Sequence, residues 1–186
     1  TLSLHDALPI LFPVYFFYYI QNIMKKPLIF VLFGSTGDLA LKKIFPALET
    51  LYTEGAYTSK SHIVAVGRRD FDAAQFKQFL AQSAPYLSSD FTHRIQYEKV
   101  DIEKNEGYGT LAKTLVSLAK HTPGSEIMIY LSLAPEFHLP VLKMLKKTRI
   151  LKRGKVKLLI EKPFGTNEKT ACALNTFLDS FISEKQ

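Results

Sequence analysis

Three groups of residues in this 186-residue chain have the types and spacing to do chemistry. The first is Gly34-Ser35-Thr36-Gly37-Asp38-Leu39-Ala40-Leu41, which follows the apolar run Leu28 to Phe33 and opens a helical pattern. Gly34 permits a sharp strand-to-helix turn, and Gly37 lets a ligand, or the strand itself, approach the first helical turn closely. The N–H groups of that turn lack partners inside the helix and lie at the positive end of its dipole, so they suit a phosphate. The spacing is G-x-x-G and not the full G-x-G-x-x-G fingerprint, so a tight turn without a ligand stays open. The second group is Arg68-Arg69-Asp70, after the apolar run His62 to Gly67. An acid at such a strand end holds the ribose 2′-hydroxyl of NAD, whereas a planar guanidinium pairs the 2′-phosphate of NADP and stacks on adenine. Arg68 is therefore the expected NADP selector, with Arg69 in support; the alternative is a solvated loop arginine. The third group is Glu161-Lys162-Pro163-Phe164-Gly165, after the run Val156 to Ile160.

The elements that must position these groups alternate regularly. The unbroken apolar run at 28–33 reads as a strand buried on both faces, 62–67 as a second buried strand, 127–133 and 156–160 as further strands, and Arg94 to Asp101 alternates as another. Between them, residues 38–54, 71–82, 107–121, 136–147 and 166–182 carry helical spacing. Pro46 predicts a kink or break in the first helix, and Gly55 its end. Asp70 or Asp72 predicts a cap for the second. Pro140 falls early in the fourth, where proline is tolerated. The last carries Ala171, Leu174, Leu178 and Ile182 on its inner stripe. Strands alternating with helices predict an α/β fold, a Rossmann-like doubly wound parallel sheet with helices on both faces.

Composition excludes several classes. Hydrophobic residues at 47% and charged residues at 22% are ordinary globular values. One cysteine, Cys172, rules out a disulfide framework or a thiolate metal cluster, and a reducing, cytoplasmic setting is expected. The net charge is +7, with basic residues concentrated between Lys143 and Lys157, but no nucleic-acid motif accompanies them, so this reads as a solvated face. Residues 1–23 read unlike the rest. Leu11 to Ile20 is apolar but interrupted by Pro13, too short to span a bilayer and without the features of a signal peptide. The first ten residues resemble one reading frame of a sequencing-adapter oligonucleotide. The expectation is a non-native segment over 1–23, a start at Met24 and an NAD(P)-binding domain over 24–186; a membrane-anchoring N-terminus is the alternative.

Phe33-Gly34-Ser35-Thr36-Gly37-Asp38-Leu39-Ala40, followed by Lys42-Lys43-Ile44-Phe45-Pro46-Ala47-Leu48, resembles the opening of the glucose-6-phosphate dehydrogenase family. Four later stretches agree: Val64 to Phe71, Tyr130 to Pro135, Glu161 to Gly165 and Ala171 to Asn175. The resemblance implies NADP as coenzyme and glucose 6-phosphate as substrate. It implies coenzyme contacts along Gly34 to Leu41 and at Arg68, Asp101, Ile102, Tyr130 and Lys162, and substrate contacts at Lys162 and Lys43. Asp101 could equally cap the next helix, and Tyr130 could equally be a core residue. The resemblance also implies a cis peptide bond before Pro163. Leu41 departs from the family, which commonly has a basic residue there. His62, His93, His121 and His138 fall on no catalytic position and read as structural or surface residues.

The resemblance covers about residues 27–182, the coenzyme domain alone. The family's R-I-D-H-Y-L-G-K segment and its catalytic histidine have no counterpart here, and no metal is implied. The expectation is that this chain alone binds NADP weakly or not at all and does not turn over, while the full-length protein is a homo-oligomeric dehydrogenase of the pentose phosphate pathway. Two alternatives remain: the coenzyme domain of another E-K-P sugar oxidoreductase, and a stand-alone Rossmann binding module.

Overall fold

Leu28–Phe33 forms β1, and all six side chains are buried, as a strand covered on both faces requires. The computed structural model describes residues 27–55, 57, 60–152, 156–163 and 165–180. The expectations for residues 1–23, for Phe164 and for the helix end at Ile182 lie outside these residues. After β1 come a π-helical turn at Ala40–Ile44 and α1 at Phe45–Thr53. Then follow β2 (His62–Gly67), α2 (Ala73–Ser83), the short α3 (Ser89–Thr92) and β3 (Ile95–Lys99). The second half holds α4 (Tyr108–His121), β4 (Glu126–Leu131), α5 (Pro135–Lys147), β5 (Val156–Ile160) and α6 (Glu168–Asp179).

The five strands are all parallel, in the order β3-β2-β1-β4-β5. Because side chains alternate across a strand, β1 feeds two cores. Leu28, Phe30 and Leu32 pack with Ile44, Leu48 and Leu51 on the first crossover and with Phe76 and Leu80 of α2. Ile29, Val31 and Phe33 pack on the other face with residues of α4, α5 and α6. Each such large side chain taken from water contributes about 1.5–3 kcal/mol. This is the doubly wound α/β sheet that the alternation of runs predicts.

Several boundaries differ from the sequence reading, each for a local reason. The helix expected over 38–54 is a π turn followed by α1, with Pro46 in the first turn of α1. Proline has no N–H to return to the preceding turn, and a helix start is where that loss costs least. Asp72 is the α2 cap: its carboxylate accepts from the Gln75 N–H at 2.8 Å while Gln75 accepts from the Asp72 N–H. β3 ends at Lys99 because Asp101 pairs back on Glu106, turning the chain. β4 spans Glu126–Leu131 and leaves Leu133 in the following loop. Pro140 lies in the second turn of α5, and the helix continues past it. α6 starts at Glu168 and not Thr166, because Asn167 and Thr170 form a reciprocal capping box. Its Leu174 is buried, while Phe177 and Leu178 pack partly buried against the same core. Among the described residues no helix is long and apolar enough to cross a membrane.

Candidate coenzyme site

The crossovers change face between β1 and β4, and in an open α/β sheet a crevice opens at that point beyond the strand ends. A cavity of about 330 Å³ lies there. Gly34 and Gly37 after β1, Arg68 after β2, Asp101 after β3 and Leu133 after β4 all line it. Four distant segments of sequence therefore meet at one place.

The turn after β1 is fixed by its neighbours. Gly34 has φ +76°, and a Cβ there would lie 2.0 Å from the Ser132 carbonyl oxygen, so only glycine fits between the ends of β1 and β4. The Gly37 N–H closes the turn on the Gly34 carbonyl at 3.0 Å. Ser35 is fully buried, and its N–H and hydroxyl both donate to the Val66 carbonyl, at 3.1 and 3.0 Å. Its hydroxyl ties the turn to β2 and is not presented to the cavity. Gly34, Thr36 and Gly37 form the cavity-facing part of the stretch. Asp38 is exposed and pairs with Lys42 at 2.7 Å. Leu39 packs against the first core; Ala40 and Leu41 are buried in it. The Leu41 carbonyl accepts from the Tyr86 hydroxyl at 2.5 Å. Leu41, expected as a coenzyme contact, is thus a core residue: a helix opening at a strand end must bury one side, and that side carries Ala40, Leu41 and Ile44.

The residues after β2 divide their work. The Arg69 guanidinium lies 4.9 Å from the Phe79 ring centroid, and its carbonyl accepts from the Tyr97 hydroxyl at 2.8 Å. Asp70 turns away to Lys99, at 3.0 Å. Arg68 is left exposed beside the cavity. Asp101 accepts at Oδ1 from the N–H groups of Glu103 and Lys104, both at 3.0 Å. It therefore organises its own turn, and α4 starts from Gly107 instead. Ile102 and Glu103 complete that wall.

Tyr130, Lys162 and Lys43 do not line this cavity. Tyr130 is fully buried, its ring centroid 6.1 Å from that of Phe30, and its hydroxyl donates to the Glu161 carboxylate. Burial, and then that hydrogen bond, push the phenol well above its ordinary range. The Glu161 carboxyl is raised by burial, while the hydrogen bond from Tyr130 works the other way. Tyr130 thus takes the core role that its apolar surroundings on the strand allowed. The Lys162–Pro163 bond is cis, and Lys162 and Lys43 are exposed.

The sequence reading singled out Tyr130 to Pro135 but gave the contact to Tyr130 and not to the residues that follow it. Ser132, Leu133 and Ala134 form one wall of the cavity. His138, almost fully buried, donates from Nε2 to the Leu133 carbonyl at 3.1 Å and braces that loop. The strand-end rule favours these residues over Tyr130, since they follow β4 directly and Tyr130 lies within it. Burial holds the His138 imidazole below its ordinary pKa.

The sheet order, the glycine turn and the arginine at the end of β2 define a Rossmann-type dinucleotide-binding domain. The chain belongs to the family described as "Glucose-6-phosphate dehydrogenase, NAD binding domain", whose sequence profile matches residues 31–186; these are nicotinamide-coenzyme-binding domains. Glucose-6-phosphate 1-dehydrogenase of Bacillus subtilis is 33% identical over 165 residues, covering 85% of this chain and 34% of that protein. The enzyme of Streptococcus pneumoniae is 30% identical, covering 88% of this chain and 34% of its own. Among solved structures, a glucose-6-phosphate dehydrogenase in complex with its substrate glucose 6-phosphate superposes with TM-score 0.72 at 27% identity, over 86% of this chain and 35% of that one. The chain spans about a third of the length of the curated relatives it matches.

Proposed function

We propose that this chain is the coenzyme domain, residues 24–186, of an NADP-dependent dehydrogenase that oxidises glucose 6-phosphate to 6-phosphogluconolactone. Family membership supports the reaction class. One observation supports the choice of coenzyme: Arg68 borders the cavity at the end of β2, while Asp70, the acid that follows it in the chain, pairs with Lys99. At the end of β2, where a site built for NAD would place an acid for the 2′-hydroxyl, this chain carries an arginine, whose guanidinium suits a 2′-phosphate.

The cavity residues fit such a coenzyme. In the glycine turn the Ser35 and Gly37 N–H groups are already engaged, so a pyrophosphate would meet the N–H groups of Thr36, which lines the cavity, and of the helix start beyond it. Asp101 and Ile102 wall the adenosine side. The loop held by His138 bounds the opposite wall. When bound, the coenzyme supplies the hydride-accepting ring. Lys162 and Lys43 hold substrate oxygens, and the base that removes the C1 hydroxyl proton comes from a histidine of the full-length protein outside these residues. The full-length protein works in the cytoplasm as a homo-oligomer.

The test is ligand titration of the chain by NMR, which reads millimolar binding. NADP is expected to bind about tenfold or more tightly than NAD, a preference of about 1.4 kcal/mol or more, and Arg68→Ala should abolish the difference. Equal affinity of the unaltered chain for the two overturns the assignment. NADPH formation from glucose 6-phosphate by this chain alone would overturn the placement of the base outside it.

A further inference from the structure

The Lys162 turn has a holding device that neither the family match nor the strand-end rule assigns. β5 is an edge strand with β4 as its neighbour in the sheet. Leu158, Leu159 and Ile160 are only partly buried, where every residue of β1 and β4 is buried. Among the described residues, the turn that carries Lys162 therefore leaves a strand less buried than β1 and β4.

Tyr130 sits on β4 opposite Leu159 of β5. Glu161 is two residues beyond Leu159, so the pleat turns its side chain to the same face as Tyr130. There the buried Tyr130 hydroxyl donates to Glu161 Oε1. Tyrosine has few rotors and its ring is already fixed in the core, so holding the carboxylate orders little else. A phenol bonded to a carboxylate is a charge-assisted hydrogen bond, stronger than a neutral one. Without the hydroxyl, the half-buried Glu161 must take a proton or turn to water, and either change frees the first residue of the turn.

We propose that Tyr130 and Glu161 are positioning residues: their hydrogen bond ties the end of β5 to β4 and so holds the backbone of Lys162 in place at the coenzyme edge of the sheet. The functional consequence rests on the reading of Lys162 as a coenzyme contact. The clamp itself does not.

Tyr130→Phe keeps the ring and the core volume and removes only the hydroxyl. The first readout needs no ligand. In ¹⁵N relaxation on the full 186-residue chain, the Lys162 amide order parameter is expected to fall in Tyr130→Phe from about 0.85 to below about 0.6, while Phe30 and Met128 keep rigid values. Glu161→Gln, which retains an acceptor oxygen, should keep most of the order. An unchanged Lys162 amide overturns the clamp, and so does equal loosening at Phe30 and Met128, the mark of a general packing role.

The second readout compares NADPH with adenosine 2′,5′-bisphosphate, which reaches Arg68 but carries no nicotinamide. Tyr130→Phe should weaken NADPH about fivefold, about 1 kcal/mol, and leave the bisphosphate unchanged. Tyr130→Phe with Lys162→Ala should bind no worse than Lys162→Ala alone, because the hydroxyl acts through the lysine. Additive losses, or equal losses for both ligands, overturn the positioning role. If Lys162→Ala leaves NADPH binding unchanged while Tyr130→Phe still loosens the Lys162 amide, the coenzyme role of Lys162 falls and the clamp stands.

Discussion

The turn after β1 and the turn after β5 both end a strand at the coenzyme edge of the sheet, yet they are held by opposite means. Gly34 to Gly37 is held by backbone and buried polar groups: Ser35 donates twice to the Val66 carbonyl, and the Ser132 carbonyl stands where a Cβ at Gly34 would be. The turn after β5 leaves a strand that lies at the sheet edge among the described residues, and a side-chain pair, Tyr130 with Glu161, ties its first residue to β4. The first turn is therefore part of the folding core, and damage to it costs stability. The second is an appended arm, and damage to it costs geometry. Under the proposed function, the glycine turn would serve any dinucleotide and the arm would carry Lys162 towards the substrate.

Substituting one glycine in each turn breaks this comparison most directly. Gly34→Ala combines a positive φ with backbone 2.0 Å from the new methyl. It should cost about 4 kcal/mol or more by urea denaturation, enough to unfold a marginal domain. Gly165→Ala, also at positive φ, would meet the Ala171 nitrogen and the Thr170 hydroxyl, both at 2.6 Å. It should cost about 2 kcal/mol and loosen the start of α6 first, seen as local amide exchange with β1 still protected. Equal, global losses for the two would end the distinction.

Arg68→Ala sharpens the comparison from the ligand side. Arg68 is exposed at the rim, so its loss should change unfolding free energy by no more than about 0.5 kcal/mol while removing the preference for NADP. A large stability loss would mean that the arginine belongs to the fold.

The smallest expected effect is a pH dependence. Burial lowers the pKa of His138 in the folded chain and, to the same sign, that of His62. The folded state then binds these protons less readily than the unfolded state, whose histidines titrate near about 6.5. Stability is complete above that value and is lost as pH falls below it. His138→Gln should flatten the slope of urea midpoint against pH between about 6.5 and 5. Because His138 braces Leu133, amides of the β4–α5 loop should lose protection before those of β2. An unchanged slope would remove His138 from that account.

What the sequence by itself determined is what local order encodes. Apolar-rich stretches predict the strands, and helical spacing between them predicts the crossovers; from these the α/β class follows. The glycine pair and the arginine after Gly67 mark two of the four segments at the cavity, because turn geometry and a strand-end position are visible in a few adjacent residues. Tertiary structure alone decided which members of those segments line the cavity. Ser35 and Leu41 read as contacts within a turn motif, yet one binds the Val66 carbonyl and the other lies in the core. Asp70 and Arg68 stand two residues apart, and only the fold shows that Asp70 pairs with Lys99 on the neighbouring strand while Arg68 borders the cavity. Tyr130 and Glu161 meet only because β4 and β5 pair in one register. No period within a single segment carries such information. It lies in the alignment of strands far apart in the chain, and a shift of one residue would send every one of these side chains to the other face.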